Sequence, residues 1–192
     1  MNKHVKRMIA IACTSVVGLG VAASPVMAAT TPTGTTDVFY TTDSTNIDAD
    51  GKVVMVVPAS ISLNKNTKSQ EFDVTMKSTD PNQDLPKDFS AEVKVDSENK
   101  GKLKTTDKSK EAEYTLQTNQ KPIDLKQADQ PFHTFTAQAD TKEVEQRATV
   151  SVDEDNSKKM ENEQPGTLFS DKLTFKVTSI SGEGLVDPNK QP

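Results

Sequence analysis

From Val53 onward, apolar side chains recur at every second position in short runs separated by turn-forming residues. That period constrains the chain more than any other feature, because successive side chains on a strand point to opposite faces. Phe72, Val74 and Met76 alternate with Asp73, Thr75 and Lys77. Phe89, Ala91, Val93 and Val95 repeat the pattern against Ser90, Glu92 and Lys94. Weaker versions occur at Ala112/Tyr114/Leu116, His133/Phe135/Ala137 and Ala148/Val150/Val152, and Leu173/Phe175/Val177 closes the series. Val53 to Val57 is instead a continuous apolar run, as expected of a strand buried on both faces.

Asn64-Lys65-Asn66, Asp80-Pro81-Asn82, Asn99-Lys100-Gly101, the stretch 119–122 and Pro165-Gly166 punctuate the runs with residues that favour turns. No long segment has a period of 3.6. The expected fold is therefore all-β, a single antiparallel β-sandwich of Ig-like or Greek-key type with about 7–9 strands. Short helices are expected at most at 121–129 or 158–163.

The N-terminus has a different texture. Lys3, Lys6 and Arg7 precede an apolar run from Met8 to Ala23, Ser24-Pro25 breaks it, and Val26-Met27-Ala28 supplies small residues for cleavage. Residues 1–28 read as a secretory signal peptide, residues 29–51 as a Thr-rich extended leader holding a first strand near Val38 and Tyr40, residues 52–180 as the sandwich and 181–192 as a tail. Removal of residues 1–28 leaves 20 of the 23 Lys+Arg against 28 Asp+Glu, a net charge of −8. It also removes Cys13, the sole cysteine, and one of the two histidines. An acidic chain repels nucleic acid and anionic lipid, so neither is expected as a partner, and no stable membrane insertion of the mature chain is expected. The expected location is secreted or extracellular, with association to the cell surface.

The stretch Val56-Val57-Pro58-Ala59-Ser60-Ile61-Ser62-Leu63, and Gly166 to Val177 near the end, resemble a broad group of small secreted or surface β-sandwich proteins of Gram-positive bacteria. The resemblance implies structural and adhesive roles at the cell surface and brings no catalytic residues with it. The relatives that bind cell wall through a Trp-x-Leu motif do not match, since the chain has no tryptophan.

Candidate chemistry is sparse. His133 is the single histidine left after export, which excludes a multi-histidine metal site, and its place on the Phe135 side of a strand reads as a core rim. Asn46-Ile47-Asp48-Ala49-Asp50-Gly51 matches the first half of an EF-hand calcium loop, with Asn46, Asp48 and Asp50 as oxygen ligands. The twelfth position is Val57 where that loop needs a bidentate Glu, so the stretch reads first as a hairpin turn with Gly51 at positive φ and second as a weak calcium site. A second acidic stretch, Asp153 to Asn156, reads as a solvated strand end. Phe39 and Tyr40 form the one aromatic pair in a polar context, a candidate binding surface that otherwise packs a first strand. No other cofactor is expected.

The leading functional expectation is a non-enzymatic secreted or surface protein acting through protein–protein contacts, in adhesion or an extracellular matrix. Its partners would be other extracellular proteins or further copies of itself, through strand addition at sheet edges. The alternatives are a calcium- or glycan-binding module and, further off, an exported hydrolase.

Overall fold

The computed structural model describes residues 42–47 and 50–190. Among these residues the secondary structure is β throughout, apart from one eight-residue helix. A six-stranded sheet has the order β1-β2-β3-β10-β7-β8, and a three-stranded sheet the order β12-β4-β9. Their strands are β1 (Thr42–Asn46), β2 (Val53–Pro58), β3 (Ser69–Ser78), β4 (Ser90–Ser97), β7 (Thr115–Thr118), β8 (Lys121–Ile123), β9 (Gln130–Thr136), β10 (Glu143–Ser151) and β12 (Leu173–Ser181). A third, small sheet is formed by β5 (Lys102–Thr105), β6 (Glu111–Glu113) and β11 (Phe169–Ser170) in the order β11-β5-β6. All strand pairings are antiparallel.

The alternation read from the sequence builds the core. Val53 and Met55 of β2, Phe72, Val74 and Met76 of β3, and Ala148 and Val150 of β10 come from the six-stranded sheet. Ala91, Val93 and Val95 of β4, Phe132 and Phe135 of β9, and Ile180 of β12 come from the three-stranded one, and all belong to one buried cluster. Phe72 meets Phe175 of β12 edge-on across the two sheets, with centroids 6.3 Å apart. Val54 is also buried, so β2 is covered on both faces in its first half, as its unbroken apolar run predicts.

Strict alternation fails at two places, both beside β4. In β9, Val93 pairs with His133 and Lys94 with Pro131, which leaves Phe132 as an extra residue in a bulge. In β12, Val177 pairs with Val93 and Ser179 with Glu92, so Thr178 is the extra residue. Each bulge shifts the phase of its strand by one residue. Phe132 and Phe135, three positions apart, are thereby both buried.

The strand count exceeds the expected 7–9, because the described residues form twelve strands in three sheets. The surplus comes from β6, β8 and β11, which are only two or three residues long and too short to show a period.

The helix α1 spans Glu154–Glu161 rather than starting at residue 158, and the 121–129 stretch is not helical. Asn119 and Gln120 both take positive φ (48° and 63°), which makes the two-residue turn that joins β7 to β8. Pro122 is tolerated because β8 is an edge strand and needs no donor on its outer side. The Asp153 side chain does not merely solvate a strand end. It caps α1 by accepting a hydrogen bond from the Asn156 backbone N–H at 2.7 Å. Asn156 is itself buried and accepts from the Glu113 N–H at 3.1 Å, which ties the helix to β6.

After β12 the chain turns back. Glu183 N–H donates to Lys87 O, Ile180 N–H donates to the Asp187 carboxylate, and Asn189 Nδ2 donates to Val177 O.

Candidate functional site

The acidic loop closes the β1–β2 hairpin. Asn46 pairs with Val54 in register, Ile47 N–H donates to Val53 O at 3.0 Å, and Gly51 has φ 68°. The positive φ is the conformation a hairpin turn demands of its glycine. Asp50 is exposed and lies 3.1 Å from Lys52 Nζ, which also donates to Gly184 O at 2.6 Å. A lysine thus occupies the carboxylate that a cation would need. Asp48 and the Asn46 side chain lie outside what is described, as do Phe39 and Tyr40. Among the described residues, no three His, Cys, Asp or Glu side chains converge as a metal site would require.

His133 sits beside the β9 bulge, half-buried, with its ring edge-on to Phe135 at 4.8 Å between centroids. Burial alone holds its pKa below the ordinary value, since a partly dry site disfavours the imidazolium. Its side chain hydrogen-bonds no described residue, so nothing described there orients it as a general base would need to be oriented.

A dense polar cluster lies elsewhere, where residues from the three sheets meet. Asp171, between β11 and β12, accepts from Ser97 Oγ and Tyr114 Oη, each at 2.6 Å. Its other oxygen accepts from the backbone N–H groups of Asn99 at 2.9 Å and Lys172 at 2.8 Å. Ser97 Oγ in turn accepts from Gly101 N–H at 2.7 Å. Burial, reinforced by the Asp171 carboxylate, pushes the Tyr114 hydroxyl far above its usual range. A carboxylate saturated by four fixed donors is a clamp and has little left to offer as a base or ligand. Alternation in the sequence marked Tyr114 as a core residue, but nothing local pointed to Asp171, 57 positions away.

The remaining features of note are the sheet edges. Ala137 N–H donates to Phe89 O, so the ladder between β9 and β4 bonds at Phe135 and leaves the backbone groups of Thr134 and Thr136 directed outward. Both residues are exposed. On the opposite side, Glu98 N–H donates to Lys172 O, so Leu173 and Phe175 are the β12 residues whose backbone faces away from β4. Beside them lies an open groove of about 280 Å³, walled by Val57, Pro58, Ala59, Ile61, Leu173 and Phe175, with Tyr114 and Asp171 also lining it. No described helix is long and apolar enough to cross a membrane.

No family model matches this chain, and no curated protein matches it. Among solved structures, it is similar to a chain from a chaperone–tip adhesin complex of CFA/I fimbriae biogenesis, at 18% identity and a TM-score of 0.33. The match covers 67% of this chain and 42% of that one, so this chain spans under half of that structure's length. A likeness so distant carries no argument about activity.

Proposed function

We propose that this is an exported, non-enzymatic protein that works at the cell surface by binding other proteins through the open edge of its three-stranded sheet. The observation that carries the reading is β9, a seven-residue edge strand whose Thr134 and Thr136 backbone groups are hydrogen-bonded to no strand among the described residues. An unpaired row of N–H and C=O groups is a template for an added strand, and proteins that do not use such a row normally cover it, charge it or interrupt it with proline or a bulge. In β9, Pro131 and the Phe132 bulge interrupt the first half and leave Thr134 to Thr136 as the open stretch. Here the outward side chains are threonines, which suit a strand partner and do not repel one. Export is supported by the basic, apolar and small-residue order of residues 1–28. The Asp171 carboxylate is fully occupied by its four donors, which suits a structural role for that side chain.

The test is a pair of edge variants in the protein recovered from the cells that make it. Thr136→Pro removes an outward N–H while leaving the β4 ladder intact, and Thr134→Lys charges the edge. Both should retain the fold by circular dichroism yet sediment as smaller species than the unaltered protein. Unchanged sedimentation of both variants contradicts the proposal.

A further inference from the structure

The open stretch of β9 is symmetric about its central residue. We infer that the partner at this edge is a second copy of the chain, paired β9 to β9 in antiparallel fashion about a two-fold axis at Phe135. The inference rests on the reading of β9 as the binding edge. Three observations lead to it. First, the hydrogen-bond phase fits. Phe135 pairs with Ala91, and Ala137 N–H donates to Phe89 O, so the outward backbone groups belong to Thr134 and Thr136, one on each side of Phe135. An antiparallel copy sets Thr134 opposite the partner's Thr136 and the reverse. All four outward N–H and C=O groups of the stretch then find a partner.

Second, charge permits self-pairing. Residues 130–139 contain no Asp, Glu, Lys or Arg, in a chain where those residues make up 27% of the total. A two-fold contact sets a segment against its own charges, and like charges directly opposite destabilise a ladder. The β9 stretch has none to oppose. The other edge of the same sheet fails this requirement, because β12 paired to itself through Leu173 and Phe175 would set Lys172 against Lys176. Third, the faces agree. Side chains directly opposite each other in an antiparallel pair share a face. Thr134 and Thr136 are exposed and Phe135 is buried, so threonine meets threonine on the wet face while both Phe135 rings stay on the core side. Cross-strand threonine pairs are favourable. The product is a continuous six-stranded sheet, β12-β4-β9 followed by the partner's β9-β4-β12, and its two-fold symmetry stops assembly at two copies.

Disulfide trapping reads the register, in a Cys13→Ser background that leaves each variant with one cysteine. Opposite hydrogen-bonded residues stand about 5.5 Å apart at Cα, within disulfide reach, whereas Thr134 and the partner's Thr134 are diagonal neighbours at about 7–8 Å. Thr134→Cys and Thr136→Cys proteins, mixed reduced and then oxidised, should give a linked species of twice the chain mass at several-fold the yield of either variant alone. The unaltered protein should sediment as the same dimer, and Thr134→Lys as a monomer. Equal yields from the mixture and the single variants overturn the inference, and so does a monomeric unaltered protein. Linkage of Thr134→Cys to Thr174→Cys in place of Thr136→Cys also overturns it, and assigns the partner edge to β12 of the next copy. The edge and its occupant are separable. If Thr134→Lys releases a protein of a different mass, the second copy is overturned and the β9 reading stands; if Thr134→Lys changes nothing, both fall.

Discussion

Tyr114 donates its hydroxyl hydrogen to Asp171 Oδ2 across 2.6 Å, and this bond ties the link between β6 and β7 to the link between β11 and β12. Ser97, at the end of β4, shares the same carboxylate oxygen, so one acidic side chain anchors residues from three separate stretches of the chain. Tyr114→Phe removes one donor and leaves Asp171 with three. Hydrogen bonds to charged groups contribute about 1.5–3 kcal/mol, and the variant should lose an amount in that range in urea denaturation.

The same bond gives a pH signature. Tyr114 keeps its proton in the fold to a higher pH than in the unfolded chain, because burial and Asp171 both oppose ionisation. Its contribution is complete below about pH 10, the value of a free tyrosine, and is lost as pH rises beyond it. Stability measured between neutral and strongly alkaline pH should fall, and the fall should be shallower in Tyr114→Phe.

His133 acts at the other end of the scale. Its folded pKa is depressed by burial, so the unfolded chain takes up protons more readily as pH drops below about 6.5. The stability it contributes is present above that pH and is lost on acidification. His133→Gln should flatten the slope of melting temperature against pH in the mildly acidic range.

Asp153→Ala removes the cap of α1 and should cost about 0.5–2 kcal/mol. Amide hydrogen exchange should rise first at Asn156 and Ser157, whose N–H groups bond the Asp153 side chain and carbonyl.

Phe135→Ala, in the centre of the buried cluster, should cost about 3–5 kcal/mol by thermal or chemical unfolding. Phe175→Ala should cost less, since that ring is only half-buried.

The long strands were legible because each has one wet and one dry face, which writes the period into the residues. Turns at Asn64 to Thr67, at Asp80 to Asn82 and at Lys100-Gly101 were equally plain, since their side-chain bonds and positive φ are local. The bulges at Phe132 and Thr178 were not, because an extra residue is defined by the partner strand and leaves no local mark. Helix α1 is half legible: the residues Lys158 to Glu163 point to it, whereas Asp153 takes on its role as the cap only once Asn156 folds back onto it. The Asp171 clamp joins residues 74 and 57 positions apart and has no signature in a linear reading. Of the candidate calcium ligands, the hairpin geometry at Gly51 follows the sequence, while the Lys52 contact to Asp50 depends on how the loop folds.

The open β9 edge carries the functional account, and a photo-crosslinking residue at position 136 on the living cell tests it most directly. The account predicts a discrete cross-linked protein adduct at 136, lost when Thr134 is changed to Lys, and none from a matched probe at Thr149, which lies inside the six-stranded sheet. No adduct at 136, or equal labelling at both positions, would contradict it.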